Sequence, residues 1–384
     1  MSSYLAIKEI WRNRGRFLLF SLVIALVTTL VLFIAGLATG LADSNRQFID
    51  KLEADLLVFQ ENVDLQSTSS RLELSKATAI RRIEGVADAG PIGFSAGTVV
   101  FTDGREPIDI SLVGIDPGRP GDPAALEGQG LRLKRKNEAV IDSLLAGQSG
   151  LKVGDSFMVK TIQGTEEELY ELKVAGITDE RRYFFQPSVI LSLDTWDKVR
   201  PQPSAPSKSA PIVANMIAVK LANPADHQQM ALRITRQIDG IEVADKRTTI
   251  LALPGYSAQQ NTLNTQQAFT FLIGVLILGG FFQIQTLQKV AQIGVLKAIG
   301  SSSRTVALSV LFQIIFVTVL GVAIGGLGTL LLAMSFPAGV PIVFNGPSVM
   351  IALIGLLLIG PIGGLVSIRL ALRIDPLTAI GLSS

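Results

Sequence analysis

The sequence predicts an α-helical membrane protein of four transmembrane helices, with a large α+β domain inserted between helices 1 and 2. Three observations predict it. Only 17% of the 384 residues are charged while 48% are hydrophobic, and the mean hydropathy is +0.44; a soluble domain averages roughly 25% charge. The charges are missing from three stretches, residues 17–41, 248–288 and 305–368. Between the first two stretches the composition is that of an ordinary soluble domain.

The elements follow in order. A membrane helix needs about 20 apolar residues. Residues 17–41 therefore make helix 1, and residues 266–287 make helix 2 behind the polar lead-in AQQNTLNTQQ. The third stretch holds two spans, 305–336 and 348–368. An external hairpin at 337–347 separates them, because Pro337 and Pro341 break helices by fixing φ and lacking the N–H. The first apolar run exceeds the 7–15 residues of a signal-peptide core and no small-residue cleavage site follows, so it reads as an uncleaved anchor.

Charge sets the orientation. Lys8, Arg12, Arg14 and Arg16 outweigh Glu9 at the N-terminus. Lys289, Lys297 and Arg304 stand unopposed between helices 2 and 3, and Arg369 and Arg373 outweigh Asp375 in the tail, residues 369–384. Positive flanks stay inside. Both termini and the 288–304 segment are thus expected in the cytoplasm, and residues 42–265 outside the cell (inner) membrane. Residues 1–16 read as an interfacial helix, with Trp11 on the apolar side and Lys8, Arg12 and Arg16 on the basic side. A basic flank that only sets topology is compatible with the same residues.

Within 42–265, strands are expected at 54–59, 96–104, 108–116, 187–193 and 215–221, with a strand pair at 151–162 and 168–178. Helices are expected at 75–86 and 225–238. Residues 138–150 start extended and turn helical until Gly150, and 201–211 is a Pro/Ser-rich loop. A break into two subdomains is not visible.

The chain offers little chemistry of its own. It has no cysteine and one histidine, His227, which reads as a surface residue. Hydrolase and zinc-protease motifs are absent. Glu166, Glu167 and Glu168 read as a solvated turn. Arg181-Arg182-Tyr183-Phe184-Phe185 could meet a partner or an amphipathic substrate, but aromatics folding back into the core account for it more simply. No GxxxxGK[ST] loop is present to cradle nucleotide phosphates. No ionisable residue lies within an expected span, which argues against proton-coupled transport. The glycines at 321–328 and 360–365 mark close helix packing.

The segment QKVAQIGVLKAIGSSSRTV, residues 288–306, carries the most information. It reads as a short amphipathic helix closed by Gly300, with Ser303 as N-cap of the next span. The run from Ile293 to Gly300, IGVLKAIG, resembles the cytoplasmic signature of the FtsX/MacB-type (type VII) ABC transporter permeases, R-x-x-E-I-G-[IV]-L-[RK]-A-[ILM]-G. Lys289 stands for the arginine and Gln292 for the glutamate. The start AIKEIWRNRGRFLL and the tail RIDPLTAIG are similar to the ends of the same family, so the resemblance runs the whole length. Size and N-terminal wording place it nearest the DevC- and HrtB-like exporter permeases.

The resemblance implies a membrane subunit that is not catalytic alone. It implies a dimer of this chain, working with two copies of a separate ABC ATPase that binds the ATP and Mg. Lys289, Gln292, Ile293, Gly294, Leu296, Lys297, Ala298 and Gly300 would form the ATPase-coupling helix. ATPase closure would then move the external domains to expel a lipid or other amphipathic substrate. A haem-type efflux permease and a non-transporting signalling permease are the alternatives. A periplasmic adaptor protein with an outer-membrane channel would extend the assembly. Membrane lipid is an expected partner, nucleic acid is not, and no metal or cofactor is expected on this chain.

Overall fold

The computed structural model describes residues 11–12, 14–132, 137–202, 212–288, 290, 294–295, 299, 302–336 and 340–373. The chain forms two compact units, residues 1–41 with 260–384, and residues 42–259.

Helix α1 spans Arg14–Asp50, well past the charge-free run that ends at Leu41. The polar extension stays helical for local reasons. Arg46 pairs with Asp43 at 2.6 Å and with Asp50 at 3.2 Å, three and four residues away on one helix face. On another face Phe48 and Ile49 are buried in the α+β unit.

That unit is built on one sheet. Its elements are β1 (Leu56–Gln60), β2 (Leu72–Glu73), α2 (Leu74–Arg81), β3 (Val86–Val100), β4 (Ile108–Ile115), β5 (Glu127–Gly128), β6 (Glu138–Asp142), α3 (Ser143–Ser149), β7 (Ser156–Gln163), β8 (Glu166–Thr178), β9 (Ser188–Ser192), α4 (Leu193–Val199), β10 (Val213–Ala214), β11 (Met216–Leu221), α5 (His227–Gln237), β12 (Ile241–Asp245) and α6 (Lys246–Ala252). The strand order is β12-β1-β11-β3-β4-β9-β6-β8-β5, with β7 hydrogen-bonded to β3 and β8. Pairing is antiparallel except for β4 with β9 and β6 with β8.

Side chains alternate across the sheet, as strand geometry requires. Leu56 and Val58 face the helices α2 and α5, in a cluster with Ile80 and Ile234. Ile141, Val189 and Leu191 face α3 and α4, with Leu145 and Trp196. Their neighbours Leu57, Phe59, Val140 and Ile190 point the other way, into one cluster with Phe48, Ile49 and Leu52. Both faces are therefore covered, which is why LLVF, AVI and VIL read as continuous apolar runs. The subdomain question has a structural answer: the long strand β3 runs through both halves and joins them.

Two expectations are corrected here. The strand expected from residue 96 begins at Val86. Gly90, Pro91 and Gly93 hid its first half. Pro91 is tolerated because over residues 86–91 β3 pairs with β11 alone. Gly93 lies opposite Gly114 in the ladder, and a methyl on either would stand 2.5 Å from the Trp196 indole. The glycine pair is the seat of a tryptophan that is 2% exposed. Second, Glu166–Glu168 open β8 instead of forming a turn. Lys160 on β7 pairs with Glu167 at 2.9 Å across the hairpin.

The helical unit contains α7 (Tyr256–Gln288), α8 (Ser303–Ser335) and α9 (Gly346–Arg373), with the first part of α1. Ser302, not Ser303, is the N-cap of α8, its hydroxyl accepting from the Thr305 N–H at 3.2 Å. Among the described residues, three helices are long and apolar enough to cross a membrane: Phe17–Ser44, Tyr256–Gln288 and Ala307–Ser335. Val349–Leu365 is apolar but shorter.

Glycines let these helices approach. A methyl at Gly325 of α8 would stand 2.5 Å from Ala25 O of α1, and Thr29 Oγ1 donates to Gly325 O at 3.1 Å. Gly360 of α9 faces Thr318 of α8, and Gly279 of α7 meets the backbone of Gly363. These contacts are of the small-residue kind that lipid-embedded helices use. The segment before α9 also lies on α1. The Val343 N–H donates to Gly36 O at 3.1 Å, and a methyl at Gly40 would stand 1.7 Å from Pro341 O.

Candidate functional site

Of the expected ATPase-coupling segment, residues 288, 290, 294–295, 299 and 302–304 are described, and of its named coupling residues Gly294 alone is among them. Gly294 and Val295 are helical, Gly294 buried and Val295 exposed. The Ile299 N–H donates to Val295 O at 3.0 Å, and the Ile299 side chain is 81% exposed. Lys289, Gln292, Ile293, Leu296, Lys297, Ala298 and Gly300 lie outside the described residues, as does Lys8. Trp11 and Arg12 are helical and exposed, and Arg16 belongs to α1.

In the α+β unit, the residues that hold the end of α1 form a second candidate site. The segment between β8 and β9 grips the helix. Arg182 donates from its guanidinium to Ser44 Oγ at 3.3 Å and from its backbone N–H to Gln47 Oε1 at 3.0 Å, and its carbonyl accepts from the Phe48 N–H at 3.2 Å. Its side chain also pairs with Glu180 at 2.5 Å. Lys51 pairs with Asp179 at 2.9 Å and reaches Glu180 O. Arg181 donates to Lys51 O at 3.0 Å, and Lys246 of α6 donates to Asp50 O at 3.2 Å and to Leu52 O. Cations thus satisfy carbonyls at the C-terminal end of α1, where such carbonyls lack helical partners.

Aromatic packing completes the grip. Tyr183 stacks on Phe94 at 4.1 Å, and Phe48 meets both edge-on at 5.2 and 5.7 Å. The arginine-aromatic motif therefore folds back into the core, with Arg182 and Tyr183 buried and Phe185 exposed at the tip.

Beneath it sits Asp142, fully buried at the end of β6. One carboxylate oxygen caps α3 by accepting from Leu145 N at 2.8 Å. The other accepts from Ser188 N at 2.9 Å and Arg181 N at 3.4 Å. Burial pushes this acid up to about 6, against the pull of its three amide donors. Burial also raises Asp179, but Lys51 and Arg181 more than reverse that and leave it below the usual range. Burial lowers Lys246. The Tyr183 hydroxyl is raised by burial and bonded to Ser67.

The motif at 181–185 was visible in the sequence as a curiosity, and Asp142 had a findable signal as a cap before a helix. Nothing in the sequence pointed to Ser44, Gln47, Lys51 or Lys246. His227 sits at the start of α5, its Nδ1 3.2 Å from Pro224 O. Among the described residues no group of three or more His, Cys, Asp or Glu could hold a metal ion.

Known proteins place this architecture. The MacB-like periplasmic core domain family matches residues 17–237, and the FtsX-like permease C-terminal family matches residues 267–376. A protein of Staphylococcus haemolyticus named as hemin transport system permease protein HrtB is 28% identical over 377 residues, covering 98% of this chain and 99% of that protein. An uncharacterized ABC transporter permease of Mycobacterium tuberculosis is 22% identical over 393 residues, covering 98% and 99%. The solved periplasmic region of MacB from Actinobacillus actinomycetemcomitans aligns with 52% of this chain and 92% of its own, at 14% identity and a TM-score of 0.37. The first family match spans more than half of the chain and the second takes up the helices that follow. The chain belongs to the FtsX/MacB-type ABC transporter permeases.

Proposed function

We propose that this chain is the membrane subunit of an ATP-driven exporter for an amphipathic substrate. A separate ATPase, present in two copies beside a dimer of this chain, supplies the power. It docks on residues 288–304, where Lys289, Gln292 and Lys297 meet it. Four spans place residues 42–265 outside the membrane and both termini in the cytoplasm. The stroke reaches the outer domain along α1.

The grip on α1 supports this reading. One unbroken helix starts at Arg14 and ends at Asp50, where buried Arg182 and Tyr183 hold it to the sheet. The absence of ionisable residues from the apolar runs also favours an external energy source.

Hemin is the second reading for the substrate, on the strength of relatives that are 28% identical across 98% of this chain and named for hemin transport. Axial ligands would have to come from few residues, such as Met334 and Met350, which are exposed at 82% and 64%. Co-purification tests the main reading: an ABC ATPase should come down with the tagged chain from detergent-solubilised membranes, and its absence refutes the reading. Adding hemin to the reconstituted complex separates the substrates. ATPase stimulation by hemin, lost in Met334→Ala with Met350→Ala, supports hemin, and stimulation by lipid alone counts against it.

A further inference from the structure

Helix α7 packs on its own chain along one side. Phe271 seats against Gly355, Gly274 faces Ile359, and Gly279 meets the backbone of Gly363. The rest of the helix is bare. Only 12% of its apolar window is buried, against 39% for Phe17–Ser44 and 33% for Ala307–Ser335. Gln266, Phe269, Ile273, Leu276, Gly280 and Gln283 are all exposed. They recur at spacings of three and four. At 3.6 residues per turn they form one line down the helix, opposite Phe271 and Gly274.

Lipid suits the three apolar members of this line and leaves the other three unexplained. Glycine weakens a helix relative to alanine, and Gly280 has nothing of the chain within 4 Å, whereas Gly274 and Gly279 have close neighbours. Gln283 lies in the candidate span Tyr256–Gln288, where hydrocarbon cannot satisfy its amide. Gln266 stands at the other end of the line, about 25 Å up the helix. A small residue lets a second backbone approach, and amides bond across such a contact.

The line also selects the partner. No charged residue occurs in α7 from Tyr256 to Gln288. Two copies of one chain insert with the same orientation. Across their two-fold axis each residue of a parallel seam meets its own counterpart. A lysine or a glutamate would face its like there. A glutamine holds both donors and an acceptor, so it pairs with itself.

We propose that α7 pairs in parallel with α7 of a second copy through this seam. Phe269, Ile273 and Leu276 fill its layers, Gly280 brings the two backbones together, and Gln266 and Gln283 fix the register. The seam presupposes the dimer of the proposed function and gives it a surface.

The chain lacks cysteine, so single cysteines report cleanly. Leu276→Cys in the seam and Leu327→Cys on the exposed side of α8 are each oxidised with copper phenanthroline in membranes carrying the full chain. Leu276→Cys should give a disulfide-linked dimer and Leu327→Cys should not. Single-molecule photobleaching in liposomes of phosphatidylethanolamine and phosphatidylglycerol then counts copies over a dilution series. Gly280→Leu should weaken association about tenfold or more, because the added side chain holds the helices apart. Gly326→Leu on α8, which also has nothing within 4 Å, should associate as the parent does. Thermal midpoints in detergent equal to the parent's show that both variants fold. If Gly280→Leu does not fold, the Leu276→Cys cross-link decides alone. A dimeric parent with no Leu276→Cys cross-link, or with association untouched by a folded Gly280→Leu, overturns the seam and leaves the dimer to another face. A parent that is monomeric at every dilution removes the dimer and the seam together.

Discussion

The guanidinium of Arg182 donates to the Ser44 hydroxyl at 3.3 Å, linking residues 138 positions apart in the chain. Arg182 is 8% exposed, and it spends its carbonyl, its amide and its side chain on one helix end. A buried cation with that many fixed partners orients whatever it holds, because leaving any of them unpaired is costly.

Asp142 should give the α+β unit a stability that falls as the pH rises. Its folded value, about 6, lies above that of a carboxylate in the unfolded chain. Its contribution is therefore complete below about pH 4 and lost as the pH passes through about 6, with a swing of about 3 kcal/mol. Asp179 and Asp245 are lowered, so their contributions disappear only at more acid pH. Asp142→Asn should flatten the slope and cost about 2 kcal/mol, because its amide NH2 would oppose a backbone N–H. Unfolding curves from pH 4 to 8, followed by Trp196 in a Trp11→Phe background, measure both effects.

Gly40→Ala should unseat the segment before α9. Its methyl would meet Pro341 O at 1.7 Å, and a backbone atom cannot rotate away. Overpacking of this kind costs about 1–3 kcal/mol. Gly15→Ala, with nothing within 4 Å, should be neutral or slightly stabilising. Thermal stability of the two variants in detergent checks the contrast, and equal midpoints would contradict it.

Gly294→Pro, or charge reversal at both Lys289 and Lys297, should uncouple ATP hydrolysis from transport while the α+β unit stays folded. Gly294 is helical, and proline inside a helix costs about 3 kcal/mol. The readout is ATPase stimulation by the reconstituted chain, with Trp196 emission as the folding control. Normal stimulation by the double reversal would remove this segment from the docking surface.

Most of the element order was legible because periodicity and apolar runs are local signals. The switch from strand to helix at Asp142, the β7–β8 hairpin and β9 all follow from such signals. What the sequence obscured were places where a residue serves a distant partner. Gly93 and Gly114 depress strand character, yet they make room for Trp196, which is roughly one hundred residues away from the first. Arg181 to Phe185 read as aromatics folding back into the core, which Tyr183 does, but nothing there said that they hold the end of α1.

By itself the sequence determined the apolar helices, a large α+β segment and the glycine-rich helix contacts, since each depends on composition or spacing within one stretch. Only the tertiary structure decided that a single sheet unites the α+β unit, that α1 runs on to Asp50, and that Arg182 and Lys246 secure its end. The physical reason is range. Hydrophobic periodicity is written over a few residues, whereas a hydrogen bond between Arg182 and Ser44 exists only once the chain between them has folded.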